Sequence, residues 1–279
     1  MYISHFNEQQ KNAVCAVNGP VLLLAVPGSG KTSVLVARLG YMVHVCGITP
    51  ANILTVTYTK AATEEMKHRF AKDYGVEYAE HMDFRTINSL SKSIIDYYSQ
   101  TVSKRPAFML QSDEKVLKKL IRDIYRSVND GEYPDESTIK DITAGITYAK
   151  NMMLSEDELE SASNGLEHFA DIYRSYNQVL NEKKSMDFDD QMRYALTILN
   201  TVPEVRQHFQ KRYHYICVDE SQDTSKIQHE IIHLLAKHHG NVFMVGDEDQ
   251  SIYGFRAAYP DALMHFSEDY PGAKVLLIC

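Results

Sequence analysis

The chain has no tryptophan, only four cysteines in 279 residues, and fewer basic than acidic side chains. Cys15, Cys46, Cys217 and Cys279 lack the paired spacing of a zinc site and are too scattered for a disulfide framework, so reduced and mostly buried thiols are expected. With 29 Lys and Arg against 37 Asp and Glu, the formal net charge of -8 offers a polyanion no overall attraction. A nucleic-acid partner would have to be met by a local groove. No apolar run approaches the roughly 18 residues that span a bilayer, and Met1 to Glu8 has no basic region followed by an apolar stretch. A membrane role is therefore disfavoured and a cytoplasmic location expected. No internal repeat, low-complexity tract or disordered linker breaks the chain.

What is present is an alternation of short apolar runs with helical patterns at both ends. Val21 to Ala25, Ile53 to Tyr58, Asp83 to Ile87, Tyr215 to Val218, Val242 to Val245 and Lys274 to Ile278 read as buried parallel strands. From about residue 100 to 185 the strand signal vanishes. Val116, Leu117, Leu120, Ile121, Ile124, Tyr125 and Val128 form one apolar helical stripe, Asp130 to Asp135 interrupts the helices, and Ser155 to Glu158 starts another with a capping box. The expected architecture is one sheet domain carrying a helical insertion.

The segment Ala25-Val26-Pro27-Gly28-Ser29-Gly30-Lys31-Thr32 follows the first strand and opens a helix. That placement predicts a phosphate-binding loop, in which backbone N–H groups and the positive end of the helix face anionic phosphates. Gly28 and Gly30 let the backbone curl, Lys31 reaches the β and γ phosphates, and the Thr32 hydroxyl ligates Mg²⁺. Ala25 stands where the usual pattern has its first glycine. A second signal is Ile216-Cys217-Val218-Asp219-Glu220, a strand delivering adjacent carboxylates to its C-terminal end, where open α/β sheets bind ligands. Asp219 is placed to hold Mg²⁺ and Glu220 to polarise the attacking water, with a solvated turn as the bland reading. In the third segment, Val245 to Ala258, Gln250 is a candidate sensor of the γ phosphate. Tyr253 and Phe255 are either stacking faces for unpaired bases or core aromatics, and Arg256 adds a cation.

The order of these segments resembles the first half of a UvrD/Rep/PcrA-type superfamily 1 DNA helicase, over essentially the whole chain. Phe6 to Gln10, Thr57 to Met66, Thr86 to Ser89 and Asp187 to Asp190 match the family's pattern as well. The resemblance implies an α/β, RecA-like P-loop NTPase domain, a parallel sheet flanked by helices, with an inserted all-helical subdomain. Residues 1–100 and 185–279 would form the RecA-like domain and 101–184 the insertion. The implied reaction is ATP hydrolysis driving 3′ to 5′ translocation, with ATP and Mg²⁺ as cofactors. Its track is single-stranded DNA or a duplex with a 3′ single-stranded tail.

The nucleotide site it implies comprises Gln10 at adenine, Ala25, Gly28, Ser29, Gly30, Lys31, Thr32 and Ser33, and the DNA track comprises Tyr58, Thr59, Thr86, Tyr253, Phe255 and Arg256. Asn7 and Gln10 also have capping-box spacing, Tyr58 also fits a core, and Asp187 to Asp190 also fits a helix N-terminus. Val26 stands where the family commonly has glycine, so an ordinary backbone conformation is expected there. Asn88 replaces a common histidine and Phe255 a common tryptophan. A second RecA-like domain, which family members carry after this point, is expected as the missing partner, and a monomer is the expected state. Rival readings are a nucleotide-gated binding module and a P-loop kinase.

Overall fold

Helices lie on both faces of the central sheet, which is why its inner strands Val21–Ala25, Tyr215–Val218 and Val242–Asp247 are largely apolar, whereas the edge strands Asp83–Thr86 and Lys274–Ile278 carry Asp83, Arg85 and Lys274. The computed structural model describes residues 3–104, 107–161, 166–247, 259 and 261–279. In chain order the elements are α1 (Glu8–Cys15), β1 (Val21–Ala25), α2 (Lys31–His44), β2 (Ile53–Thr57), α3 (Lys60–Tyr74), α4 (Val76–His81), β3 (Asp83–Thr86) and α5 (Ile87–Tyr97). Then come β4 (Met109–Leu110), α6 (Glu114–Val128), α7 (Glu136–Met152), α8 (Glu156–Ser161), α9 (Phe169–Glu182), β5 (Ser185–Met186), α10 (Phe188–Thr201) and α11 (Pro203–Arg212). The last part holds β6 (Tyr215–Val218), α12 (Lys226–Ala236), β7 (Val242–Asp247), α13 (Asp261–Met264), α14 (Phe266–Asp269) and β8 (Lys274–Ile278).

The six-stranded sheet has the order β3-β2-β6-β7-β1-β8, and every neighbouring pair is parallel. Successive residues of a strand point to opposite faces. Leu22, Leu54, Val56, Ile216, Val218, Val242 and Met244 therefore pack with α5, α10, α11 and α12 on one side. Val21, Leu23, Ile53, Cys217, Phe243, Val245 and Ile278 pack with α1, α2 and α3 on the other. Arg38 of α2 is buried inside this second core. Its guanidinium lies 4.1 Å over the Phe243 ring and donates through its two terminal nitrogens to the carbonyls of Ala13, Ala16 and Val17, which pins α1 to α2, while the buried Nε has no hydrogen-bond partner among the described residues.

Helices α6 to α9 close on a core of their own, built on Ile121, Ile124, Ile139, Ile142, Ile146, Ile172 and Tyr176. Two details of this region differ from expectation. Val116 is exposed, because the stripe of α6 faces inward through Ile121 and Ile124. At the root of the region β4 pairs in parallel with β5, two residues each, too short to leave a period in the sequence. The cysteines differ too: only Cys217 is buried, whereas Cys15, Cys46 and Cys279 lie exposed at or just beyond the ends of α1, α2 and β8. No helix among the described residues is long and apolar enough to cross a membrane.

Candidate functional site

The C-terminal ends of β1, β7 and β6, side by side in the sheet, carry the loop 25–32, Asp247 and Asp219. Gly28 and Gly30 have φ of 82° and 84°, a region open to glycine and strained for other residues. Val26 is not among the positive-φ residues, as its β-branch requires. Helix α2 starts at Lys31 without a side-chain cap, so the N–H groups of Lys31, Thr32 and Ser33 have no partner within the helix. Asn7 and Gln10 form the capping box of α1, and the Gln10 amide also donates to the Ser29 carbonyl at 3.0 Å. Gln10 thus holds the loop through its side chain as well as closing a helix start.

Asp219 is 6% exposed, and its Oδ1 has no hydrogen-bond partner among the described residues. Burial, and then the neighbouring Glu220 carboxylate, push its pKa up to about 6. Glu220 takes φ 50°, an uncommon conformation for a non-glycine residue, and this breaks the strand alternation that would send adjacent side chains to opposite faces. Lys31 Nζ lies 3.2 Å from Asp247 Oδ2 and 3.6 Å from Glu220 Oε2. Gln222 bridges the two acids, donating to Glu220 Oε2 at 2.7 Å and accepting from the Asp247 N–H at 3.1 Å. The arrangement offers an anion an ammonium and a row of N–H groups, and a cation a buried carboxylate.

The family description that fits this chain is "UvrD/REP helicase N-terminal domain", matched over residues 6–271. The chain belongs to this family. It is similar to the ATP-dependent DNA helicase PcrA of Staphylococcus epidermidis, 32% identical over 99% of this chain and 38% of that protein. PcrA of Staphylococcus aureus shows the same identity and coverage. The ATP-dependent DNA helicase Rep of Buchnera aphidicola is 33% identical over 97% of this chain and 41% of its own length. The chain therefore spans about two fifths of the length of these relatives, and the architecture is the RecA-like α/β domain of the UvrD/REP family.

Four residues expected at the site, Gln250, Tyr253, Phe255 and Arg256, lie outside the described residues. The others on the expected DNA side cluster at the ends of β2 and β3. Tyr58 is 44% exposed, whereas the Thr59 and Thr86 hydroxyls cap α3 and α5 by accepting from Ala62 N–H and Ser89 N–H. Tyr58 and Thr86 open onto a cavity of about 260 Å³ that Asp219 also lines. Thr147 and Asn151 of α7 and Asp189 of α10 line the same cavity. Two parts of the expected site therefore share one cavity with the helical region.

Sequence reasoning never reached Lys150, and it gave no individual role to Asp247, Gln222 and Asp189, although each lies in a segment it singled out. Asp247 had one visible signal, its place two residues after the apolar run Val242 to Val245; in the structure it is the last residue of β7. Lys150 had none, since a lone lysine in a helix reads as solvated. It is fully buried, with Nζ 2.7 Å from Asp187 and 2.8 Å from Asp190. Asp187 is also the N-cap of α10, so the helix-start reading of that segment holds, with a buried ion pair added.

Asp189 accepts from Asn151 Nδ2 at 2.8 Å, yet burial, and then Asp187, push its carboxyl up to about 6. An acid whose pKa is raised by folding holds its proton more tightly in the folded chain. Its contribution to stability is therefore complete below the ordinary value of 3.8 and is lost as the pH rises towards 6. Asp189→Asn, which mimics the protonated form, is expected to be more stable than the parent at pH 8 by about 1 to 2 kcal/mol. Near pH 4 that advantage should disappear. Urea unfolding at the two pH values checks this, and an advantage independent of pH would refute it.

Proposed function

We infer that this chain is the ATP-binding motor domain of an ATP-dependent DNA helicase that moves 3′ to 5′ along single-stranded DNA. The observation that carries the reading is the convergence of Lys31, Glu220 and Asp247 beside Asp219 at adjoining strand ends, with Asp219 also lining the cavity onto which Tyr58 and Thr86 open. A nucleotide site and an exposed aromatic ring so placed suit a motor better than a kinase, which needs no track. The relatives' names, ATP-dependent DNA helicase, support the activity, and the direction rests on the family resemblance.

In this reading Gln10 meets the adenine, while Lys31 and the N–H groups of residues 28 to 33 hold the phosphates. Glu220 takes the proton of the attacking water. Mg²⁺ fits the residues present: the unpartnered, buried Asp219 Oδ1 needs a cation or a donor, and the Thr32 hydroxyl stands in the first turn of α2. Such an ion is typically bound through one or two protein oxygens, water and phosphate. When bound it neutralises phosphate charge. Tyr58 supplies a stacking face for a base, and the Thr59 and Thr86 segments meet the DNA backbone, contacts that carry no sequence preference. The resemblance assigns Gln250 to the γ phosphate and Tyr253, Phe255 and Arg256 to the DNA, and a second RecA-like domain to the opposing wall of the nucleotide cleft.

Stimulation of hydrolysis by single-stranded DNA is the deciding measurement. Turnover indifferent to DNA would sink the motor, and nucleotide-dependent DNA retention without stimulation would make the chain a gated binding module instead. Tyr58→Ala is expected to weaken single-stranded DNA binding by about 1 to 3 kcal/mol. Fluorescence anisotropy with an oligonucleotide reads this directly, and no loss would leave Tyr58 without a role in binding.

A further inference from the structure

The turn that follows β6 is fastened to the end of β7. Ser221 to Asp223 form a single 3₁₀ turn, and the completely buried Ser221 donates its hydroxyl to the Val245 carbonyl at 2.9 Å. Gly246 makes this approach possible, since a Cβ there would stand 2.8 Å from Ser221 Oγ and 3.5 Å from Gln222 Oε1. Gln222, 3% exposed, then makes two bonds with one amide: it accepts from the Asp247 N–H at 3.1 Å and donates to Glu220 Oε2 at 2.7 Å. A backbone N–H only donates and a carboxylate only accepts, so the two bonds leave the amide one orientation.

Glu220 needs such a hold. Its side chain is 39% exposed on a flexible stem, and the Lys31 ammonium stands 3.6 Å away, beyond hydrogen-bond length. A proton acceptor works within about 2.6 to 3.2 Å of the water it deprotonates, so a carboxylate free to rotate is misplaced for most of its time. We propose that Gln222 is a positioning residue for hydrolysis: its amide ties the Glu220 carboxylate to the end of β7 and so aims it at the attacking water. Gln222 acts through Glu220 and takes no proton itself. The proposal rests on the reading of Glu220 as the proton acceptor given above.

Single-turnover ATP hydrolysis with single-stranded DNA present, beside titration with a fluorescent, non-hydrolysable ATP analogue, tests it in the 279-residue chain. If the parent does not hydrolyse ATP, or Glu220→Gln hydrolyses it as fast as the parent, the reading of Glu220 fails and the proposal falls with it. Otherwise Gln222→Met decides, because methionine keeps the length of the side chain and removes both bonds. It is expected to slow hydrolysis about a hundredfold, the cost of a displacement of about 1 Å, while affinity for the analogue changes less than twofold. In the Glu220→Gln background the same substitution should change the residual rate less than twofold, since no acceptor is left to aim. An undiminished rate in Gln222→Met, a parallel loss of affinity, or an equal slowing in both backgrounds would overturn the proposal. Thermal melts accompany each variant. Should Gln222→Met not melt cooperatively, Gln222→Glu takes its place: it keeps an acceptor for the Asp247 N–H and withdraws the donor from Glu220, so the same slowing at unchanged affinity is expected. Loss of the cooperative melt in both would overturn the proposal and leave Gln222 a part of the fold.

Discussion

Lys150→Ala is expected to destabilise the chain by about 3 to 5 kcal/mol, because it strands two buried carboxylates. Lys150 Nζ is fully buried and meets Asp187 Oδ2 at 2.7 Å and Asp190 Oδ1 at 2.8 Å. The Tyr176 hydroxyl donates to Asp187 at 2.9 Å, and the ammonium lies 4.9 Å from the centre of the Tyr176 ring. Three helices meet here: α7 brings Lys150, α9 brings Tyr176, and α10 brings the two acids. Burial by itself pushes the Asp187 carboxyl up, but Lys150 and hydrogen bonds from Asp190 N–H and Tyr176 outweigh it and hold the group below its ordinary value.

Without Lys150 that balance reverses. The variant should regain part of its stability as the pH falls and the stranded acids take up protons, opposite in sign to the contribution of Asp187 in the parent, where burial already holds the Asp190 carboxyl above its ordinary value. Replacing all three charges, as Lys150→Met with Asp187→Asn and Asp190→Asn, should recover most of the loss. Asparagine still caps a helix, and a matched apolar and amide set has no charge to desolvate. Chemical unfolding of the single and triple variants checks both statements. A single-variant loss below about 1 kcal/mol would show that water reaches the acids and that the pair behaves as a surface contact.

This triad marks where sequence reasoning ends. The inner strands were legible because they are covered on both faces, so Val21 to Ala25 and Tyr215 to Val218 stand out as apolar runs whatever their neighbours. Helix starts were legible where a cap is local, as at Asn7 with Gln10 and Ser155 with Glu158. The phosphate loop was legible because its glycines and lysine are contiguous. Lys150 and Asp187 are 37 residues apart and Lys31 and Asp247 are 216 apart, and no local pattern reports such pairings. They follow from which strands and helices become neighbours. The exposure of Cys15 and Cys46 has the same origin: helix ends reach the surface, and composition does not say where a helix ends.

Glu220→Gln is expected to leave nucleotide bound while lowering turnover by about 10² to 10⁴, the range for removing a positioned proton acceptor. The geometry favours a clean substitution. Glu220 sits at φ 50°, a conformation glutamine adopts at the same cost of about 1 to 3 kcal/mol as glutamate, so the backbone gains no reason to rearrange. The Gln222 amide, which donates to Glu220 Oε2 at 2.7 Å, finds an equivalent acceptor in a glutamine side-chain carbonyl. What disappears is the charge that accepts the water's proton, together with the weaker of the two attractions on Lys31. Affinity should therefore hold or rise slightly, whereas damage to the fold would lower affinity and turnover together. Single-turnover hydrolysis beside a binding titration separates the two. Retained turnover would move the proton acceptor away from Glu220 and leave Asp247 or a residue beyond β7 to be tested for that role.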